Sequence, residues 1–179
     1  MHVARAVNTT TDDREKRFEG LFLRNYRKVV WQLARLLGNE EEAEEQAQET
    51  FLRLYSSSLL ERPDEEVSIW LRRVALNRGY NCLRGHRREL ERLRSEARLS
   101  QPLAPSLAAD PEDETLRAES AAQVRLALAR LPARQQACLM LRYEGLAYKD
   151  IARVLGVAPG SVGTLLARAE KAFREHYEG

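Results

Sequence analysis

Trp70, Val74, Asn77, Asn81, Arg84 and Arg88 recur at steps of three and four residues. On a helix they form one stripe that passes from apolar to hydrogen-bonding to cationic. A carboxamide offers a donor and an acceptor to a base edge, and guanidinium groups neutralise phosphates in a salt-dependent way. The gradient describes a helix rooted in a core at one end and able to read nucleic acid at the other. A solvated helix with an ordinary buried tryptophan fits the same residues. A second group is acidic: Glu40 to Glu49 contains six Glu and no basic residue. Within it, Glu45-Gln46-Ala47-Gln48-Glu49 could dock on a basic protein surface, but alone it reads as the solvated N-terminus of a helix.

The opposite sign collects between Arg72 and Arg98, where nine Arg face three Glu. The chain as a whole carries only +2 over 179 residues, so local clusters and not the net charge select acidic or basic partners. Conventional catalytic signatures are missing. His2, His86 and His176 are dispersed, and no glycine-rich phosphate loop occurs. Cys82 and Cys138 form no CxxC pair and have no histidine ligand set at motif spacing. The expectation is therefore no enzyme, no catalytic residue, no metal, no cofactor and no small-molecule substrate. Lone cysteines suit a reducing cytoplasm. Met1 to Thr11 lacks the apolar region of a signal peptide, and no run approaches the ~18 apolar residues of a membrane span.

The elements that must position these groups are helical. Phe18, Phe22, Tyr26, Val29, Val30, Leu33, Leu36 and Leu37 trace an amphipathic stripe that Gly38 ends. Asn39, with Glu42 three positions on, reads as an N-cap and capping box opening a helix with Ala43, Ala47, Phe51 and Leu54 inward. Ser56 to Ser58 and Arg62-Pro63-Asp64 break the pattern, predicting a loop of about ten residues. Periodicity returns at Val67, Trp70, Leu71 and Val74 and fades after Leu93; Gly79 and Gly85 each weaken that helix by ~1 kcal/mol relative to alanine. Pro102, Pro105 and Pro111 mark a linker. Beyond it come a lead-in helix through Leu131, a helix from Pro132 to about Tyr143, and a break at Glu144-Gly145. A short helix from Tyr148 to Leu155, a turn at Gly156-Val157 and a longer helix from Ser161 complete the chain. The last pair has the shape of a helix-turn-helix, with Val162, Leu165, Leu166, Ala169 and Phe173 as its buried stripe. The fold class is all-α, two small helical domains joined by a flexible linker: residues 15–98, a linker at 99–114, and residues 115–179.

Three stretches in this order, EEAEEQAQETFLRLY, WLRRVALNRGYNCLRGHRRE and LPARQQACLMLRYEGLAYKDIARVLGVAPGSVGTLLARAEKAF, resemble the extracytoplasmic-function sigma factors of bacterial RNA polymerase. The resemblance runs from Phe18 to Tyr177. It implies a region 2 bundle, a region 4 helix-turn-helix, and binding to core RNA polymerase and promoter DNA. On this resemblance Glu45, Gln48 and Glu49 match core-polymerase contacts. Asn77 and Asn81 match positions near the opened minus-ten strand, with Arg84, Arg87 and Arg88 following its backbone. The loop from Ser56 to Ser68 corresponds to the segment that holds a flipped base. Ser161, Gly163, Thr164, Arg168 and Lys171 fall on the helix that meets the minus-thirty-five duplex, although Gly163 and Leu165 stand where many members carry a basic residue. An anti-sigma factor is a common partner of such proteins. A polymerase-independent helix-turn-helix regulator is the alternative; it leaves the acidic segment and the Trp-Asn-Arg helix unexplained.

Overall fold

The computed structural model describes residues 2–97 and 115–178. The linker expected at 99–114 lies outside the described residues. Seven α-helices follow in order: α1 (His2–Leu37), α2 (Glu40–Tyr55), α3 (Asp64–Ala97), α4 (Thr115–Ala129), α5 (Ala133–Tyr143), α6 (Tyr148–Leu155) and α7 (Ser161–Glu178). One 3-10 turn, Ser58–Glu61, sits between α2 and α3. The described residues contain no strand, so the all-α expectation holds.

The first core forms where α1, α2 and α3 pack. Phe51 of α2 is 2% exposed and is surrounded by α1 rings. Its centroid lies 6.3 Å from Phe18, 5.0 Å from Phe22 and 5.8 Å from Tyr26. Edge-on and tilted ring pairs of this kind add ~0.5–1.5 kcal/mol beyond the area they bury. Leu21, Val29, Leu33, Leu54, Leu60, Val67 and Leu71 complete the cluster. Inside it the buried Asn25 carboxamide donates to Leu21 O at 2.9 Å and accepts from the Ser68 hydroxyl at 3.0 Å. Gln32 donates to Arg72 O at 3.0 Å, which ties α1 to α3.

Local signals set the boundaries. Gly38 takes φ +75° and closes α1. Asn39 caps α2, its side chain accepting from Glu42 N at 3.1 Å, but the Glu42 carboxylate turns to α3 instead of completing a capping box. The loop after α2 is shorter than expected, because Asp64 to Ser68 are already helical. Arg14 and Arg17 of α1 hold it down. Arg14 donates to Tyr55 O at 2.6 Å and Ser57 O at 3.1 Å, and Arg17 to Leu60 O at 2.6 Å. These bonds satisfy carbonyls at and just beyond the end of α2 that have no helical partner. Helix α3 continues past its apolar repeat. Leu90 and Leu93 are 47% and 49% exposed, and Arg87–Glu91 and Arg92–Glu89 pairs lie along this solvated end.

The second core is not closed by the C-terminal helices alone. Ala137, Cys138, Met140, Leu141, Ile151, Ala152, Val154, Val162 and Leu166 form it together with Leu36 of α1 and Leu76 of α3. The expected inward stripe of α7 is narrower than its periodicity suggested. Val162, Leu166 and Ala169 are buried, whereas Leu165 and Phe173 are half-buried.

The two glycines of α3 differ in surroundings. A Cβ on Gly79 would meet Leu36 Cδ2 at 2.5 Å and Leu33 Cδ2 at 3.2 Å, whereas one on Gly85 would meet nothing within 4 Å. Overpacking costs about 1–3 kcal/mol and alanine's helix preference returns about 1 kcal/mol. Gly79→Ala is expected to lower stability, and Gly85→Ala to raise it by up to about 1 kcal/mol. Denaturant unfolding of the two variants checks the opposite signs.

Candidate nucleic-acid interface

Helix α3 places the expected DNA-reading residues beyond the apolar contact with α1. Asn77, Asn81, Arg84, Arg87 and Arg88 are all exposed, so the stripe read from spacing is one solvent-facing array. Its apolar root is Trp70, half-buried against the first core. The Arg84 guanidinium donates to the Asn81 side-chain oxygen, and Arg87 pairs with Glu91 at 3.1 Å. These partners are on the surface and can exchange for phosphate or base at little cost.

On α2, Glu45, Gln48 and Glu49 are exposed while Ala43, Ala47, Thr50 and Phe51 face the core. Glu49 lies 3.7 Å from Arg78 of α3, and Gln46 accepts from Arg78 at 3.1 Å. The acidic face therefore borders the arginine-bearing helix. Sequence reasoning missed Leu52, which is 61% exposed on this face one turn beyond Gln48. No pattern signals it, because α2 has a complete inward stripe without it.

The C-terminal pair is the expected helix-turn-helix. Gly156 takes φ +66°, a left-handed conformation that side chains with a Cβ disfavour. Its N–H bonds back to Ala152 O, and the Val157 N–H to the same carbonyl at 3.1 Å. Ser161, Thr164, Arg168 and Lys171 are exposed on α7, and Gly163 is half-buried. A Cβ at Gly163 would have only an ordinary contact, Tyr148 Cε2 at 3.9 Å.

Between the two halves lies a polar seam that sequence patterns did not reveal. Arg72 of α3 pairs with Glu144 at the end of α5; their side chains are only 13% and 6% exposed. Burial raises the Glu144 carboxyl above its ordinary value, against the opposing pull of Arg72, Arg35 and Lys28. Arg73 donates to Val154 O at 3.0 Å and also to Arg153 O, capping the carbonyl end of α6. Arg153 returns a bond to Glu65. The Tyr80 hydroxyl donates to Ala133 O at 2.8 Å, and burial holds it well above its ordinary pKa, so it remains a donor. Arg35 lies over Trp31 at 4.3 Å and Tyr143 at 5.2 Å. None of Asn77, Asn81, Arg84, Arg87 or Arg88 is buried in this seam.

One further cluster corrects the expectation that Cys82 lacks a histidine neighbour. Glu42 Oε1 lies 2.8 Å from Cys82 Sγ and 2.8 Å from His86 Nε2, and the sulfur and nitrogen are 3.8 Å apart. Cys82 and His86 share a helix face one turn apart, a spacing visible in the sequence; Glu42 arrives from another helix and was not. Burial, with the Glu42 hydrogen bond, pushes the Cys82 thiol up to about 11.

Comparison with known proteins agrees with this geometry. The family described as Sigma-70 region 2 matches residues 21–89, and that described as Sigma-70, region 4 matches residues 121–173. The chain is 36% identical over 155 residues to the ECF RNA polymerase sigma factor SigM of Mycobacterium tuberculosis, covering 85% of this chain and 72% of the relative. It is 31% identical over 164 residues to the RNA polymerase sigma-H factor of Pseudomonas aeruginosa, covering 89% and 85%. Among solved structures, the sigma factor RpoE in complex with the anti-sigma factor NepR from Bartonella quintana shares the fold. The TM-score is 0.59 at 21% identity, over 90% of this chain and 96% of that one. With both regions matched in the order of its own two helical halves, the chain belongs to the extracytoplasmic-function sigma factors. Its function is that of a sigma factor, binding core RNA polymerase and directing transcription initiation at promoters. No described helix is long and apolar enough to cross a membrane.

The seam makes a specific prediction about the free protein. Removing one member of a buried ion pair strands the other charge at a cost of about 3–5 kcal/mol, whereas replacing both by apolar residues is often neutral. Arg72→Ala and Glu144→Ala should each separate the two halves, and Arg72→Met with Glu144→Met should keep them packed. The radius of gyration from small-angle X-ray scattering distinguishes these outcomes.

Proposed function

We propose that residues 15–98 act as region 2 and residues 115–179 as region 4, with separate contacts on polymerase and promoter. In region 2, Glu45, Gln48 and Glu49 dock on a basic surface of core polymerase around exposed Leu52. Asn77 and Asn81 read bases of the opened minus-ten element, and Arg84, Arg87 and Arg88 follow its backbone. The observation that carries this reading is that all five of these α3 residues are exposed, on a helix whose preceding turns are buried in both cores. A rigidly rooted helix presents carboxamides and guanidinium groups with little further ordering cost on binding.

In region 4, α7 enters the major groove of the minus-thirty-five duplex, with Ser161, Gly163, Thr164, Arg168 and Lys171 on its DNA side. Gly163 withholds a side chain from this face, so Arg168 and Lys171 carry most of its positive charge. The loop from Ser56 to Pro63, braced by Arg14 and Arg17, is the segment nearest in character to a base-holding loop. The protein acts in the cytoplasm, where the polymerase is, and performs no chemistry of its own. RpoE of Bartonella quintana is seen with an anti-sigma factor; an anti-sigma factor is the regulatory partner inferred for this chain as well.

Transcription reconstituted with core polymerase tests the assignment. Asn81→Ala is expected to lower initiation about tenfold, the value of one good base contact, with core binding retained. Unchanged initiation would remove the base-reading role. Glu45→Arg with Glu49→Arg is expected to weaken association with core polymerase by charge reversal, and normal co-purification would count against the docking face. Specific retardation of a duplex without core polymerase would mark the chain as a polymerase-independent regulator.

A further inference from the structure

The cluster of Glu42, Cys82 and His86 adjoins both the proposed core-docking face and the proposed DNA-reading array but shares no residue with either, and its chemistry is different. The donors are a carboxylate, a thiol and an imidazole, each offering one ligand atom, and all three atoms lie within 4.8 Å of one another. A tetrahedral zinc ion with ordinary bond lengths holds such donor atoms about 3.4–3.6 Å apart. The sulfur-to-nitrogen distance of 3.8 Å is already close to that value. The two distances to Glu42 Oε1 are shorter, 2.8 Å each, which is hydrogen-bond length: the thiol donates to the carboxylate, and so can the ring nitrogen. An outward shift of the carboxylate by less than an ångström makes all three distances suitable for a metal.

From this geometry we infer that Glu42, Cys82 and His86 form a Zn2+ site that bridges the opening turn of α2 and the middle of α3. The donor set suits zinc, since thiolate and imidazole select a borderline-soft ion and disfavour magnesium and calcium. Binding exchanges the thiol proton, released to solvent, for a thiolate–zinc bond; the imidazole and carboxylate bind through lone pairs. Three protein ligands leave the fourth position to water, which can reach it because the His86 side chain is 59% exposed.

Placement gives the site a consequence. Cys82 and His86 bracket Arg84 and adjoin Asn81 on one side and Arg87 on the other, while Glu42 opens the helix that carries Glu45, Gln48 and Glu49. Beyond Leu83 the described side chains of α3 up to Ser95 are all exposed. A zinc clip therefore anchors the last buried turn of α3 just where the arginine-bearing end leaves the body of the protein. The inference does not depend on the promoter assignment, and metal binding is measured without polymerase or DNA.

The test uses the full chain, reduced and freed of metal. Titration with Co2+ is expected to produce a thiolate-to-cobalt charge-transfer band and tetrahedral d–d bands at one ion per chain, which Zn2+ then displaces. Cys138→Ser should retain the bands and Cys82→Ser should lose the charge-transfer band. His86→Ala and Glu42→Gln should weaken binding at least about tenfold, as loss of a ligand exceeds the effect of its outer partners. His86 is exposed, so His86→Ala keeps the fold and carries the test if Cys82→Ser does not fold. Absence of the band in the parent chain, its survival in Cys82→Ser, its loss in Cys138→Ser, or unchanged affinity in His86→Ala would each overturn the site.

Discussion

Helix α3 is buried on two sides, and most of the structure follows from that. Val67, Leu71 and Ala75 belong to the core built with α1 and α2, while Leu76 joins the core of the C-terminal helices with Ile69, Tyr80 and Leu83 packed beside it. A helix that is apolar around so much of its circumference needs neighbours on both faces. It supplies the wall that each half would otherwise lack. Gly79 makes the arrangement possible, because the α1 leucines occupy the space where its side chain would be.

The residues proposed to meet DNA lie where this burial ends. The buried and half-buried apolar positions of α3 run out within two turns of Asn77, at Leu83, and from there side chains are exposed, with no core left to compete for them. Long-range polar contacts then refine the surface. Arg72 and Arg73 face the C-terminal half and are consumed in structure, whereas Arg84, Arg87 and Arg88 face water. The eight described arginines from Arg72 to Arg94, alike in sequence, thus divide by helix face and by distance from the cores. Buried pairing costs desolvation that only good geometry offsets, which confines it to the few residues in the seam.

The same logic separates the carboxylates of α2. Glu42 is half-buried where it accepts from Cys82 and His86 of α3, while Glu45, Gln48 and Glu49 are exposed, Glu49 lying 3.7 Å from Arg78 of the same helix. The acidic run is one block in sequence but two environments in space. Leu52 shows the reverse case, an apolar residue left outside because Phe51 and Leu54 already fill the interior of α2.

Much of the architecture was legible from the chain itself. Every helix from α2 to α7 was anticipated by periodicity and end signals, because Asn39, Gly38, Pro132, Gly145 and Gly156 act within a turn or two of their own positions. The solvent-facing polar stripe of α3 was legible for the same reason: residues at helical spacing share a face whatever surrounds the helix. Tertiary structure alone decided what depends on partners far along the chain. The seam of Arg72 with Glu144 joins residues 72 positions apart, and the meeting of Glu42 with Cys82 spans 40. Neither spacing carries a periodic signal. The relation of the two halves was likewise settled only in three dimensions, since an apolar residue such as Leu36 or Leu76 is equally apolar whichever core it enters, and only packing chooses between them.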